Sequence, residues 1–458
     1  MKLRSFWHFD RISFFLLDYF LLWCAIVCAF ELSPRYPLDV LDGLWLRPEV
    51  NFIGYAMPFF MALGLQVTGV QRSQSGFRGV ETLVQTLTGL VAGVTIFVLI
   101  HVLVEYSLIG RYVLGFSLVY GTAFIVGSRL MVWKLAERSS RSVIVYGDKT
   151  AFEAIERTIR AARLPVRVLG YTQLGKTGSA AKIDGFLSAN DLGLSGLCEK
   201  NAVEEMIVEV PDALERGERE ALLLCTRMGI NVIEMNYFFE RNLERVYVPG
   251  LREAWFWGYD PGYAHFFFFA FKRFTDILVS LLGIALFTPL LPFIVILIKF
   301  QDGGSVIYSQ LRVGLNNQSF RIFKFRTMRM DAEKGGAQWA TANDQRTTPL
   351  GRVLRRTRLD EVPQFWNILK GEMSFIGPRP ERPEFVDMIE REVPFYRYRH
   401  LIKPGLTGWA QINYRYGASV DEAKQKLSYD LYYLKYASAM LDMLIIFRTA
   451  AVMAKGAR

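Results

Sequence analysis

The chain has only four cysteines in 458 residues, Cys24, Cys28, Cys198 and Cys225, with no CxxC pair and no metal-ligand spacing among them. That argues against a disulfide framework or a structural zinc centre, and reduced thiols are expected. A Gly-x-Gly-x-x-Gly fingerprint is also missing. Only Gly147 stands where three glycines would be needed, so the backbone offers no pyrophosphate cradle. No Tyr-x-x-x-Lys follows in a suitable helix, since Tyr432–Tyr436 reads YYLKY. Both absences count against a membrane nucleotide-sugar dehydratase or epimerase-like enzyme. The first apolar run lacks a small-residue cleavage site and is too long for a secretory h-region, so it does not read as a signal peptide.

Long apolar runs are what the chain has. Hydrophobic residues make up 52% of it, and they are unevenly spread. Four stretches, Ile12–Phe30, Asn51–Val67, Leu83–Val104 and Tyr112–Trp133, are each long enough to cross a hydrocarbon core of about 30 Å. Asp18 interrupts the first and is tolerable if it faces a bundle. Lys2, Arg4 and Arg11 precede the first run, Arg72 and Arg78 lie between the second and third, and Lys134, Arg138 and Arg141 follow the fourth. The positive-inside rule then puts the N-terminus, the loop between the second and third runs and everything after the fourth on the cytoplasmic side of the membrane. The net charge of +10 is concentrated from Ala270 onward, where 28 Lys and Arg face 17 Asp and Glu. A basic domain on a membrane face suits anionic lipid and phosphate substrates; nucleic acid is not an expected partner.

After the fourth run the period changes. Ser142–Tyr146, Val166–Tyr171, Glu204–Val210 and Ile230–Ile233 read as strands, with helices over Ala151–Ala162 and Glu215–Met228, a parallel α/β pattern. The expected fold class is membrane α plus α/β. It comprises a four-helix anchor over 1–135, a degenerate Rossmann-like domain over 140–248, an aromatic interfacial linker over 249–270 and a mostly helical catalytic domain over 271–458. Within the last, 274–300 is apolar enough to span, yet Thr288-Pro289 and Pro292 break its centre and basic residues flank both ends. A re-entrant helix kinked at Thr288 and Pro289 is expected, with the Thr288 hydroxyl taking a carbonyl freed by the proline.

Thr348-Pro349 reads as the cap and first turn of a helix carrying Arg352, Arg355, Arg356 and Arg358. The adjacent carboxylates Asp360 and Glu361 follow just before Pro363. Helical spacing would put Arg356 and Asp360 on one face, and Pro363 would kink the chain at Val362. Neighbouring carboxylates raise each other's pKa while arginines lower it, so at least one is expected to be ionised. An Arg-rich helix with an Asp-Glu pair is by itself ordinarily a solvated face. Four ordered blocks change that reading: Lys324-Phe-Arg-Thr-Met328, Arg358-Leu-Asp-Glu-Val-Pro-Gln364, Ser374-Phe-Ile-Gly-Pro-Arg-Pro380 and Lys403-Pro-Gly-Leu-Thr-Gly-Trp-Ala-Gln-Ile412. With them, Phe274 to about Tyr436 resembles the catalytic domain of the polyprenyl-phosphate hexose-1-phosphate transferases, monotopic phosphoglycosyl transferases of bacterial glycan assembly. The whole chain is similar to the larger, exopolysaccharide-initiating members, although Thr288 stands where they commonly have Ser.

The resemblance implies transfer of a hexose 1-phosphate from a UDP-sugar, UDP-glucose by family-based expectation, to undecaprenyl phosphate. Asp360 would be the nucleophile and Glu361 its metal or acid–base partner, with Mg²⁺ held by Asp360 and Glu361. Lys324, Arg326 and Arg379, flanked by Pro378 and Pro380, would meet the diphosphate and nucleotide. Arg352, Arg355 and Arg356 would hold the dyad or the lipid phosphate. Membrane lipid is a further expected partner, and a homodimer is left open. The non-enzyme alternative is a lipid-binding scaffold with a decayed site, against which the intact Asp360-Glu361 pair argues.

Overall fold

The computed structural model describes residues 11–32, 48–68, 79–105, 111–137, 141–162, 164, 166–173, 193–209, 214–257, 263–332, 344–414 and 419–454. Lys2, Arg4, Arg72, Arg78 and Arg138, which carry the orientation argument, lie outside these residues. The chain divides into two compact units between Leu243 and Glu244.

In the first unit four apolar helices, α1 (Arg11–Glu31), α2 (Pro48–Thr68), α3 (Gly79–Glu105) and α4 (Arg111–Glu137), pack as neighbours, α1 against α2 and α4, α3 against α2 and α4. Leu22, Ile26, Met57, Met61, Leu90, Phe97 and Ile125 fill the space between them. Gly64 and Gly93 let α2 and α3 touch backbone to backbone. A Cβ on Gly64 would lie 2.1 Å from the Gly89 carbonyl and one on Gly93 2.3 Å from that of Phe60, the small-residue contact of helices in lipid. Asp18 does face the bundle, where both carboxylate oxygens accept from Arg129 Nη2 at 2.6 and 2.7 Å. The outer surface stays apolar, with Leu16, Phe20, Leu99, Val119 and Met131 exposed. Thr82–Val102 and Tyr112–Val132 are long and apolar enough to cross a membrane; the apolar parts described in the other two, Phe14–Phe30 and Ile53–Gln66, are shorter.

The same unit contains a four-stranded parallel sheet, ordered β2 (Val166–Thr172), β1 (Arg141–Tyr146), β3 (Glu205–Val208), β4 (Asn231–Glu234). Helix α5 (Lys149–Ala162) covers it through Ala151, Ile155 and Ile159, spaced one turn apart. Helices α6 (Gly193–Lys200), α7 (Arg216–Arg227) and α8 (Met235–Leu243) complete the layers; α6 and α8 are too short for a periodic signal. The turn after β1 is where a Rossmann fold holds pyrophosphate. Here Glu209 Oε2 occupies it, 2.7 Å from a Cβ built on Gly147 and accepting from Asp148 N at 3.2 Å. Asp148 Oδ1 caps Ala151 N at 2.8 Å. Two carboxylates thus stand at the helix N-terminus that would otherwise attract phosphate.

The second unit is built on a broken apolar helix. Following α9 (Glu253–Trp257), α10 (Tyr263–Phe287) runs into a 3₁₀ turn at Thr288–Leu290 and continues as α11 (Leu291–Asp302). The break falls where the prolines predict it. Thr288 Oγ1 donates to Ile284 O at 2.6 Å, whereas the carbonyl deprived by Pro289 is that of Ala285, four residues back. A hydroxyl reaches its own i−4 carbonyl most easily, which explains the one-residue difference. Most of Phe266–Gln301 is exposed, including Phe274, Leu282, Leu286, Phe293 and Phe300. Both arms touch the segment after Glu361: Gly283 and Phe287 meet Phe365, while Ile294 and Ile298 cluster with Leu354 and Val362.

A hairpin of β5 (Ile307–Val313) and β6 (Ser319–Phe325) follows. Next come α12 (Pro349–Thr357), α13 (Gln364–Lys370), β7 (Ser374–Ile376), α14 (Pro383–Glu392), β8 (Gly405–Thr407), α15 (Trp409–Asn413), α16 (Val420–Tyr436) and α17 (Ala439–Ala454), with β7 and β8 paired in parallel. The main core gathers Val386, Ile389, Tyr396, Trp409, Leu427, Leu431 and Leu434. It also takes in Val246, Val248 and Trp255, and Phe256 stacks 4.1 Å from Tyr398. The front of the aromatic linker is therefore core, while Trp257, Phe266 and Phe267 remain exposed.

Candidate active site around two adjacent carboxylates

Helix α12 starts as its sequence dictates, with Thr348 Oγ1 accepting from Gly351 N at 2.9 Å and Pro349 in the first turn. Gly351 faces Thr327, whose carbonyl would lie 2.0 Å from any Cβ there. The helix ends earlier than its spacing suggests. Arg358 adopts φ +59, a left-handed conformation costing a non-glycine residue about 1 kcal/mol. It sends Leu359–Glu361 into a 3₁₀ turn, so Arg356 and Asp360 do not share a helical face. The expected kink at Val362 is absent too. Val362 is helical at φ −53, ψ −40, and Pro363 leads into α13, where its missing N–H has no partner to lose. The turn is made by Arg358 instead of the proline.

The turn buries both carboxylates, Asp360 at 7% and Glu361 at 6% exposure. Glu361 Oε1 accepts from Lys324 Nζ at 3.2 Å and Arg379 Nη2 at 3.4 Å, and Oε2 lies 3.7 Å from Arg358 Nη1. Burial alone would raise the Glu361 carboxyl; Lys324, Arg379 and Arg358 outweigh it and hold the group well below the usual carboxylate range. Asp360 goes the other way. Burial, then repulsion from Glu361, lifts it to about 6 against the pull of Lys324, Arg355 and Arg358. Its Oδ1 is buried with no hydrogen-bond partner among the described residues. One carboxylate is thus permanently charged and pinned, while its neighbour titrates near neutrality with an open oxygen.

Each cation is held by the fold. Asn367, fully buried, accepts from Phe323 N at 3.1 Å and donates to Arg321 O at 2.7 Å, locking β6 and hence Lys324. The carbonyls around Arg379 are tied in succession: Pro378 O accepts from Gly405 N at 2.9 Å, Arg379 O from Arg399 Nη2 at 2.9 Å and Pro380 O from Arg312 Nη1 at 3.1 Å. Arg399 is itself clamped by Asp430 at 2.7 Å, both at or below 3% exposure. Arg355 donates to Thr327 Oγ1 at 2.9 Å and Thr347 Oγ1 at 3.1 Å.

Of the residues read from sequence, the structure brings together Asp360, Glu361, Lys324, Arg355 and Arg379, with Pro378 and Pro380 as the frame of the last. It does not bring Arg326, Arg352 or Arg356 to the dyad. Arg326 is turned toward Gly304, and Arg352 and Arg356 are exposed on the outer side of α12. Sequence reasoning missed Arg358 as a dyad contact. It also missed Asn367, Arg399 and Gln364, whose side chain is 2% exposed with Nε2 unpartnered among the described residues. Gln364 closes the second block and Asn367 lies three residues beyond it, so extending that block one helical turn would have found Asn367.

The resemblance implies Mg²⁺. Among the described residues no group of three or more His, Cys, Asp or Glu converges. Mg²⁺, though, needs only one or two carboxylates beside substrate phosphates, and Asp360 Oδ1 fits that role. Glu361 fits less well, because its oxygens already face three cations. Four cations around two carboxylates leave the site net positive, suited to a diphosphate.

A family described as bacterial sugar transferase matches residues 267–456. The chain is 41% identical over 254 residues to the UDP-N-acetylgalactosamine-undecaprenyl-phosphate N-acetylgalactosaminephosphotransferase of Aeromonas hydrophila, covering 55% of this chain and 59% of that protein. It is 46% identical over 132 residues to a putative undecaprenyl-phosphate N-acetylgalactosaminyl 1-phosphate transferase of Bacillus subtilis, covering 29% and 74%. With the UDP-glucose:undecaprenyl-phosphate glucose-1-phosphate transferase of Klebsiella pneumoniae it shares 40% over 181 residues, 39% of either chain. The chain thus spans 59% and 39% of the Aeromonas and Klebsiella relatives.

Proposed function

We propose, because this chain belongs to the bacterial sugar transferase family, that it moves a hexose 1-phosphate from a UDP-hexose to undecaprenyl phosphate, an early membrane step of glycan assembly. The observation that carries this reading is the divided dyad: Asp360 keeps an open, buried oxygen while Glu361 absorbs the neighbouring cations. An Asp360 oxygen attacks the β-phosphorus of the donor, the bond from that phosphorus to the bridging oxygen breaks, and UMP departs with the electron pair. The hexose phosphate is left on the carboxylate. An oxygen of undecaprenyl phosphate then attacks the same phosphorus, the aspartyl bond breaks, and Asp360 is regenerated beside a diphosphate-linked lipid sugar. Lys324, Arg355, Arg358 and Arg379 hold the developing phosphoryl charge in place without moving. Mg²⁺, when bound at Asp360 Oδ1, would supply further charge neutralisation there.

The broken helix supports a re-entrant reading, since both arms pack on one segment of the catalytic unit and the bend sits at Thr288-Pro289. In this reading α1–α4 span a bacterial inner membrane and the catalytic unit stays cytoplasmic, near the headgroups where a polyprenyl phosphate presents its phosphate. The hexose is the open choice: the relatives include N-acetylgalactosamine and glucose enzymes, and glucose is the sequence-based expectation. UMP release should be measured with UDP-glucose, UDP-galactose and their N-acetylated forms, with and without undecaprenyl phosphate. Release with one donor and its loss in Asp360→Asn are expected. No UMP from any donor would overturn the reading.

A further inference from the structure

We propose that Lys403 and Arg273 form a second phosphate-binding site, separate from the dyad, that seats the headgroup of an anionic phospholipid where α10 leaves the body of the catalytic unit. The inference rests on the membrane insertion of α10 argued above. Arg273 lies between exposed Phe271 and Phe274, within the exposed apolar surface of α10. Its guanidinium is fixed by donating to Ile368 O at 2.6 Å and Leu369 O at 2.7 Å, the last carbonyls of α13. Gly371 ends that helix at φ +85, and a Cβ built on it would lie 3.5 Å from both Arg273 Nη2 and Lys403 Nζ. Two cationic nitrogens therefore flank one small hollow that the glycine leaves open.

Lys403 has no hydrogen bond or ion pair with any described residue, although its side chain is half-buried. Its ammonium is held below its usual pKa, first by burial and then by Arg273. The acid that opposes this, Asp276, is already committed to Ser374 Oγ at 3.1 Å and Phe375 N at 3.0 Å. A half-buried ammonium beside a second cation, with no counter-charge of its own, is stabilised by an external anion. The surroundings indicate which anion. Phe271, Phe274 and Trp366 are exposed, and Leu278, Leu281 and Leu282 continue the apolar surface along α10. A phosphate bearing acyl chains can lie against that surface; a free phosphate gains nothing from it. None of the groups at this hollow touches Asp360 or Glu361.

The test uses the purified full chain, delipidated in mild detergent and titrated with short-chain phosphatidylglycerol, phosphatidylcholine or inorganic phosphate, with bound lipid counted by native mass spectrometry. Lys403→Gln should weaken one phosphatidylglycerol site about fivefold, leave phosphatidylcholine unaffected and be rescued by Lys403→Arg. Phosphatidylglycerol binding unchanged by Lys403→Gln would overturn the proposal, as would inorganic phosphate competing as well as the lipid. Should Lys403→Gln not fold, a photoactivatable phosphatidylglycerol on the native chain should label residues 271–274, 366–371 or 403; labelling elsewhere only would also overturn it. The binding should persist in Asp360→Asn. A chain that takes the lipid but never releases UMP would sink the catalytic reading and leave this one standing.

Discussion

Replacing Asp360 with Asn should make the protein more stable at neutral pH while removing its activity. The folded-state carboxyl sits at about 6 against an ordinary 3.8. The folded chain therefore binds a proton that the unfolded chain has released, and stability falls as pH rises through 3.8 to 6. Roughly two pKa units at about 1.4 kcal/mol each give a ceiling near 3 kcal/mol, fully lost above about pH 7. Asn is neutral at every pH and nearly the same shape, so it resembles the protonated form. Wild type and Asp360→Asn should then melt together at pH 4 and separate by pH 8, the variant higher. For a unit of about 215 residues, with each kcal/mol worth roughly 2–4 °C, the ceiling is on the order of 6–12 °C. Thermal unfolding in detergent with EDTA, at pH 4, 6 and 8, reads this directly. A variant no more stable than wild type at pH 8, or a gap that persists at pH 4, would refute the buried-charge account. In the active enzyme the same titration should appear as a rate that rises with pH around a midpoint near 6.

Truncation before Glu244 should leave measurable UMP release, because the first unit's phosphate turn is filled by Glu209. Truncation at Leu251 should cost several kcal/mol more in unfolding experiments, since it strips buried Val246 and Val248 and the Glu244 carbonyl that accepts from Trp409 Nε1 at 2.8 Å. Arg379→Ala should lower kcat at least tenfold and let the Glu361 carboxyl rise toward its ordinary range, seen as an altered acid limb of the pH–rate profile; an unchanged profile would count against its contact with Glu361. A single cysteine at exposed Ser319, in a background lacking the four native cysteines, should react with an impermeant thiol reagent only after cells are opened. Labelling of intact cells would mean that 274–300 crosses the membrane.

The features legible in the sequence are those set by covalent chemistry and local period. Pro289 and Pro292 disfavour an uninterrupted helix, Thr348-Pro349 suits the start of one, and the β-branched runs at 142–146 and 166–171 suit buried strands. The adjacency of Asp360 and Glu361 needs no fold at all. What the tertiary structure alone decided is how those carboxylates differ. The left-handed residue that ends α12 is an arginine, a type with no intrinsic preference for that conformation, and around it Leu354, Leu359 and Val362 pack with Ile294 and Ile298 of α11. That turn exposes Glu361 to Lys324 and Arg379, from 37 residues before and 18 after it, and leaves Asp360 Oδ1 without a partner among the described residues. The eleven arginines and lysines between Lys324 and Arg379 look alike as charges. Which of them face it depends on long-range ties such as Asn367 to β6 and Asp430 through Arg399 to the Arg379 carbonyl, and no local pattern encodes a contact made across twenty or more residues.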